Sequence, residues 1–252
     1  VFGGILGLNV SARFKSAVTV YVLLPLLLLP QMLLGGLIVD FDDLRSRAAP
    51  HVCPPWFGEL TASRWAFEAL AVEQYQANAY QRHFEAADRE LSGLDYRMND
   101  HVPALLGRLD ALVLAAPERR EKIRALLVRE FRALAGESPR LAGAAAAVAA
   151  WRPPDRAALE SLKTALREWS RELQAARQAA QERRNEIQQA LLAAHGEEGL
   201  AAFVKANTNR KLVDLVRRKG VLDPIREQGG RFVRLADPVY QPAESPWGRA
   251  PF

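Results

Sequence analysis

The sequence predicts an all-α protein with one transmembrane helix followed by an extracytoplasmic helical domain containing a long helical hairpin or coiled coil. Three observations carry that expectation. An uninterrupted apolar stretch runs from Ala17 to Val39. A leucine-rich seam with alternating three- and four-residue spacing runs from Leu159 to Ile187. Between and after them, amphipathic stretches are punctuated by Gly and Pro at helix-stop positions.

The apolar stretch reads AVTVYVLLPLLLLPQMLLGGLIV, and Tyr21 is its one ionisable side chain. As a helix it is about 35 Å long, a little more than the hydrocarbon thickness of a bilayer. A wholly buried helix of a large protein is the competing reading, but apolar character all round at this length favours a span. Pro25 and Pro30 are tolerated where neighbouring helices satisfy the freed carbonyls. Gly35 and Gly36 permit close approach of another helix, and Gln31 is costly against lipid but cheap against protein. Gln31, Gly35 and Gly36 are therefore the candidate packing residues within the membrane. Arg13 and Lys15 precede the stretch, while Asp40, Asp42 and Asp43 follow it, which sets the N-terminal end in the cytoplasm. Arg45 and Arg47 beyond the acidic residues reduce that asymmetry.

The chain divides on this reading into four parts. Residues 1–41 are a cytoplasmic flank and the span, the latter at about 17–39. Residues 42–79 hold a loop, with Pro54-Pro55 and interfacial Trp56 and Phe57, and then a short re-entrant or interfacial helix. In that helix Arg64 and Glu68 stand four apart, close enough to pair across one turn. Residues 80–220 are the helical domain, and 221–252 an irregular connector in which Gly229-Gly230 permits one small hairpin.

Inside the helical domain, a polar helix is expected from Tyr80 to Leu94, and His101-Val102-Pro103 reads as a break. Pro117 opens another helix that stops at Gly136. Asp155 suits the N-cap of the longest helix, which stops at Gly196. Its seam of Leu159, Leu162, Leu166, Trp169, Leu173, Ala176, Ala180 and Ile187 is interrupted by Arg183 alone. The expected partner is the 118–136 helix or the Ala-rich segment after it, folded back antiparallel, with a homodimeric coiled coil as the alternative. A last amphipathic helix is expected from Leu200 to Lys219.

Composition excludes several classes. The net charge is +5 with a pI near 9.6, but basic residues alternate with acidic ones, as in RREKIR. With no basic block interleaved with aromatics, nucleic acid is not an expected partner. A single cysteine rules out an intrachain disulfide framework. His51 and Cys53 lack a second ligand pair, and His83, His101 and His195 are far apart in sequence and expected at the surface. Neither a phosphate-cradling G-x-x-x-x-G-K loop nor a His-Glu-x-x-His or Gly-x-Ser-x-Gly pattern is present. The residues thus carry no catalytic, cofactor or metal site. The chain opens at Val1 without a signal-peptide pattern and is expected to be a fragment of a longer polypeptide.

Residues 1–80 resemble the permease domain of ABC-2 type transporters of the subfamily G (White-like) kind, in the bacterial form with a fused ATPase. The run Ser63, Arg64, Trp65, Ala66, Phe67, Glu68, Ala69, Leu70 matches that family's short extracytoplasmic helix after the penultimate span. PQMLLGG, Pro30 to Gly36, is similar to the end of that span. RFVRLADPVYQ and WGRAPF resemble what precedes the last span. The region from Tyr80 to Lys219 departs from the pattern as a large insertion, and neither the closing span nor the cassette lies within the sequence. The resemblance implies a bacterial inner-membrane location, with residues after about 40 extracytoplasmic. It implies other spanning helices and an ATPase cassette as partners. ATP and Mg would be bound by that cassette and not here, so enzyme activity would belong to the cassette. Arg64, Trp65 and Glu68 would form a plug or pore mouth. A membrane-anchored coiled-coil adaptor or sensor without transport activity is the alternative.

Overall fold

The computed structural model describes residues 2–14, 16–33, 62–151, 156–217 and 224–241. The helices are α1 (Phe2–Arg13), α2 (Ala17–Leu33), α3 (Ala62–Gln76), α4 (Glu85–Tyr96), α5 (Val102–Leu114), α6 (Pro117–Leu134), α7 (Ala144–Ala150), α8 (Arg156–Asn207) and α9 (Arg210–Arg217). One hairpin, β1 (Ile225–Gln228) and β2 (Arg231–Arg234), follows them. The chain is therefore mostly helical, as its patterning dictates, with one short antiparallel ribbon added. Two units form: Val1–Ala77 with Arg210–Val216 and Pro242–Phe252, and Asn78–Asn209 with Arg217–Gln241.

In the first unit, α1 occupies residues expected to be only a flank. α2 contains Pro25 and Pro30 without interruption. Its large apolar side chains face outward around the helix, Val18, Tyr21, Val22, Leu26, Leu28 and Leu29 all being exposed. Among the described residues, no helix is long and apolar enough to cross a membrane. α2 is described for 17 residues, about 25 Å. Residues 34–39 of the expected span, with Gly35 and Gly36, lie outside the described residues, as do the 42–57 loop, His51, Cys53 and the Asp155 cap.

The second unit is organised by α8. α4 and α5 run into each other through a π-helical turn, Arg97–His101, so the break expected at His101 does not occur. Pro103 explains the turn. It has no N–H for the carbonyl one turn back, and the chain shifts to a five-residue step in which Val102 N–H bonds Arg97 O. Residues 85–114 then form one rod that lies antiparallel along α8. Asp88 meets Arg184 at 2.7 Å, Glu90 meets Arg183 at 2.6 Å, Asp95 meets Arg177 and Asp110 meets Lys163. Each step forward in the rod is a step backward in α8.

That pairing corrects the expected partner of the seam. α6 and the Ala-rich α7 pack chiefly on each other. They meet α8 only near its start, where Leu159, Leu162, Leu166 and Trp169 join Leu105, Leu109, Leu126, Phe131, Leu141 and Val148 in the main core. The 85–114 rod is the partner whose length and acidic residues match α8. At the far end, Leu191 and Leu200 close a second cluster on Phe84, with Tyr80 and Phe203 against it. Arg183, the interruption in the seam, is exposed and tied to Glu90. Gly196 has φ +68° and ψ 173°, a region that side-chain-bearing residues avoid, and it kinks α8 where the sequence expects a stop.

In the hairpin, Ile225 pairs with Arg234 and Gln228 with Arg231. Gly229 and Gly230 both have positive φ, 59° and 72°, as a two-residue turn of this hand requires. Part of the expected irregular connector is thus ordered.

Candidate functional site

α3 carries the first group of expected site residues. Its buried stripe is Arg64, Glu68, Ala71 and Tyr75, one face at four-three-four spacing. Two of the four are charged, which is why no apolar stripe shows in the sequence. Arg64 is only 1% exposed and Glu68 9%, and their ion pair is 3.1 Å long. The guanidinium carbon of Arg64 sits 4.6 Å from the Trp65 ring centroid. One residue earlier, the Ser63 hydroxyl donates to the Gln31 carbonyl of α2 at 2.6 Å. The structure thus brings Arg64, Trp65, Glu68 and the Gln31 backbone together in one unit.

A second polar group, in the other unit, escapes sequence reasoning. His101 is 2% exposed and not at the surface. His83 and His195 are exposed as expected. The His101 ring stacks on Tyr96 at 5.6 Å and meets Phe232 edge-on at 5.8 Å. Arg97 Nη1 donates to His101 Nδ1 at 2.7 Å. A guanidinium can only donate, so Nδ1 is the bare nitrogen and Nε2 carries the proton. Nε2–H then donates to Glu130 Oε2 at 2.8 Å, and Glu130 Oε1 accepts from Phe232 N–H at 3.0 Å. Helix α6, the π turn and the hairpin are clasped by one carboxylate.

Asp237 forms the neighbouring knot. It accepts from Arg217 at 2.6 and 3.1 Å and from Ser92, while Arg234 approaches it at 3.4 Å and bonds Ser92. Arg234 also lies over the Tyr96 ring at 5.1 Å. Burial opposes ionisation of both Glu130 and Asp237. The hydrogen bonds from His101 and Phe232 to the first, and from Arg217 and Ser92 to the second, outweigh it and hold both below the ordinary carboxylate range. Burial pushes Asp100 up, pushes Tyr96 up to about 12 and brings Arg234 down.

These groups satisfy one another and hold elements in place; among the described residues of these two groups, no nucleophile stands beside a free base. Among the described residues no group of His, Cys, Asp and Glu is arranged to hold a metal ion. The signals that point to the clasp are a proline two residues after a histidine, and a Phe-x-Arg alternation in the strand after Gly229-Gly230. Neither specifies a partner.

Comparison of the chain with protein-family models, with curated proteins and with solved structures finds no match in any of the three.

Proposed function

We propose that the chain is part of an ABC transporter permease domain, contributing a spanning helix and a large extracytoplasmic loop to ATP-driven transport. The observation that carries the reading is the seating of α3 on α2, with a buried Arg64–Glu68 pair next to the Ser63–Gln31 bond. A short helix that buries an ion pair against an apolar helix suits a segment dipping back toward a bilayer. There a lone charge would cost several kcal/mol, and a paired one is tolerated. The outward apolar face of α2, free of ionisable groups except Tyr21, suits lipid or further spanning helices. The similarity of Ser63–Leu70 and of Pro30–Gly36 to the family's pattern supports the same reading.

In this proposal Arg64, Trp65 and Glu68 form the plug or mouth, and Gln31, Gly35 and Gly36 the packing face of the span. The unit of residues 78–209 and 217–241 is a platform on the extracytoplasmic side of a bacterial inner membrane. ATP and Mg belong to a cassette elsewhere in the polypeptide or in a partner. Reading the coding sequence outward from both ends tests this. A nucleotide-binding loop with further spans upstream, and one more span downstream, is the expected result. A start codon just before Val1 and a stop just after Phe252 would leave a single-span anchored adaptor or sensor and overturn the transport reading.

A further inference from the structure

α6 has a second working face. Its buried side closes the main core with Leu126, Leu127 and Phe131. The opposite side forms, with Ala149 of α7, an open groove of about 380 Å³. Its floor is small and apolar, Ala125 and Val128 beside Ala149. Its rim is Arg124, Arg129 and Arg132, with Glu121 as its one acidic residue among the described residues.

Two rim guanidiniums are fixed by backbone carbonyls, Arg129 by that contact alone among the described residues and Arg124 with an ion pair to Glu121 besides. Arg124 Nη1 donates to the Trp151 carbonyl at 3.1 Å, and Arg129 Nη1 to the Gly229 carbonyl at 2.9 Å. A carbonyl oxygen orients a guanidinium but leaves its charge in place, and each group retains further N–H donors. Glu121 offsets one charge through its pair with Arg124. The remainder is a net positive rim that has already lost part of the side-chain entropy a binding event would otherwise have to remove.

Spacing selects the occupant. Along α6, Arg124, Arg129 and Arg132 are spread over about 12 Å of helix axis. Arg124 is held at the Trp151 carbonyl and Arg129 at the Gly229 carbonyl, so these guanidiniums are pinned at separate points and not gathered on one small anion. A positive rim spread over about two turns suits carboxylates distributed along a facing helix, whose small apolar residues would sit on the Ala125–Val128–Ala149 floor. We infer that this groove binds an acidic amphipathic helix of a partner protein.

The test is fluorescence anisotropy with the full chain in detergent micelles. The probe is a labelled helical peptide carrying Glu at one-turn spacing with Ala and Leu between. Its twin carries Lys in place of Glu. Saturable binding of the acidic peptide alone, weakening as salt rises, is the expected result. Arg132→Glu, at an exposed position, is expected to weaken it at least about tenfold. Ala149→Trp, which fills the exposed floor and leaves the charges intact, is expected to do the same. Circular dichroism of both variants should match the parent. Equal binding of both peptides, no saturable binding, or indifference to both substitutions would overturn the inference. So would binding to anionic phosphatidylglycerol vesicles that is sensitive to Arg132→Glu while the peptide is not bound.

Discussion

Glu130 is a single carboxylate with three structural tasks: it receives His101 Nε2–H, it receives the Phe232 N–H, and it joins α6 to the hairpin and the π turn. Removing it strands two buried donors, a loss of about 1–3 kcal/mol for each. Glu130→Ala should therefore lower the urea midpoint followed by the fluorescence of Trp151 and Trp169, both in the main core. A midpoint unchanged from the parent would mean that the clasp holds nothing. The pH dependence follows from the same groups. Glu130 and Asp237 have folded-state pKa values below their unfolded ones. Their contribution is complete above the ordinary carboxylate pKa of about 4 and is lost as pH falls through the lower folded values. Asp100 is shifted the other way, so protonation as pH falls favours the folded state and partly offsets the loss. The second unit should keep its stability from pH 7 to about 5 and lose it below about 4. Glu130→Gln should flatten that acid limb, and an unaltered limb would assign it to other carboxylates. At this scale the sequence is informative where partners are local. The four-residue spacing of Arg64 and Glu68 foretells their pair, whereas His101 meets Glu130 across 29 residues and nothing local announces it.

Helices and turns show where local chemistry suffices and where it does not. Gly196 marks the kink in α8, Gly229-Gly230 the hairpin turn and Pro117 the start of α6, each because one residue type suits one backbone conformation. Gly196→Ala should cost about 1–3 kcal/mol, because ψ near 173° at positive φ is a region open essentially to glycine alone. The second cluster, around Phe84, Leu191 and Leu200, should loosen first, read as faster amide hydrogen exchange there than at α6. Uniform exchange would show that the kink is not under strain. The heptad seam marks most of the buried stripe of α8, with Leu159, Leu162, Leu166, Trp169 and Ala180 buried but Ala176 exposed, and it does not mark the partner. Pairing was settled by length and charge over a long sequence separation, with Asp88, Glu90 and Asp95 opposite Arg184, Arg183 and Arg177. Proline also has two meanings in this chain. Pro117 opens a helix, while Pro103 bends one into a π turn and lets it continue. In α3 the buried stripe holds an ion pair, so hydrophobic periodicity was blind to it. Arg64→Ala strips Glu68 of its partner and is expected to reduce accumulation or transport of the assembled protein. Wild-type behaviour would remove the plug role.

For the whole molecule, the membrane reading rests on Ala17–Val39, of which α2 describes the first 17 residues. The helical unit of residues 78–209 and 217–241 has its own core and clasp, built by the packing of α4 to α8. In the proposed reading residues 1–80 carry the resemblance to an ABC-2 permease domain, and the helical unit that bears the groove on α6 would be an insertion in it. Transport, substrate platform and topology all depend on that first segment crossing the membrane with the rest outside. Cys53, the single cysteine of the chain, follows the expected span and reports on this directly. The measurement is labelling by a membrane-impermeant maleimide in intact spheroplasts, before and after permeabilisation. Full labelling before permeabilisation is the expected result. Labelling that begins only after the membrane is opened would put the residues beyond α2 in the cytoplasm and contradict the account.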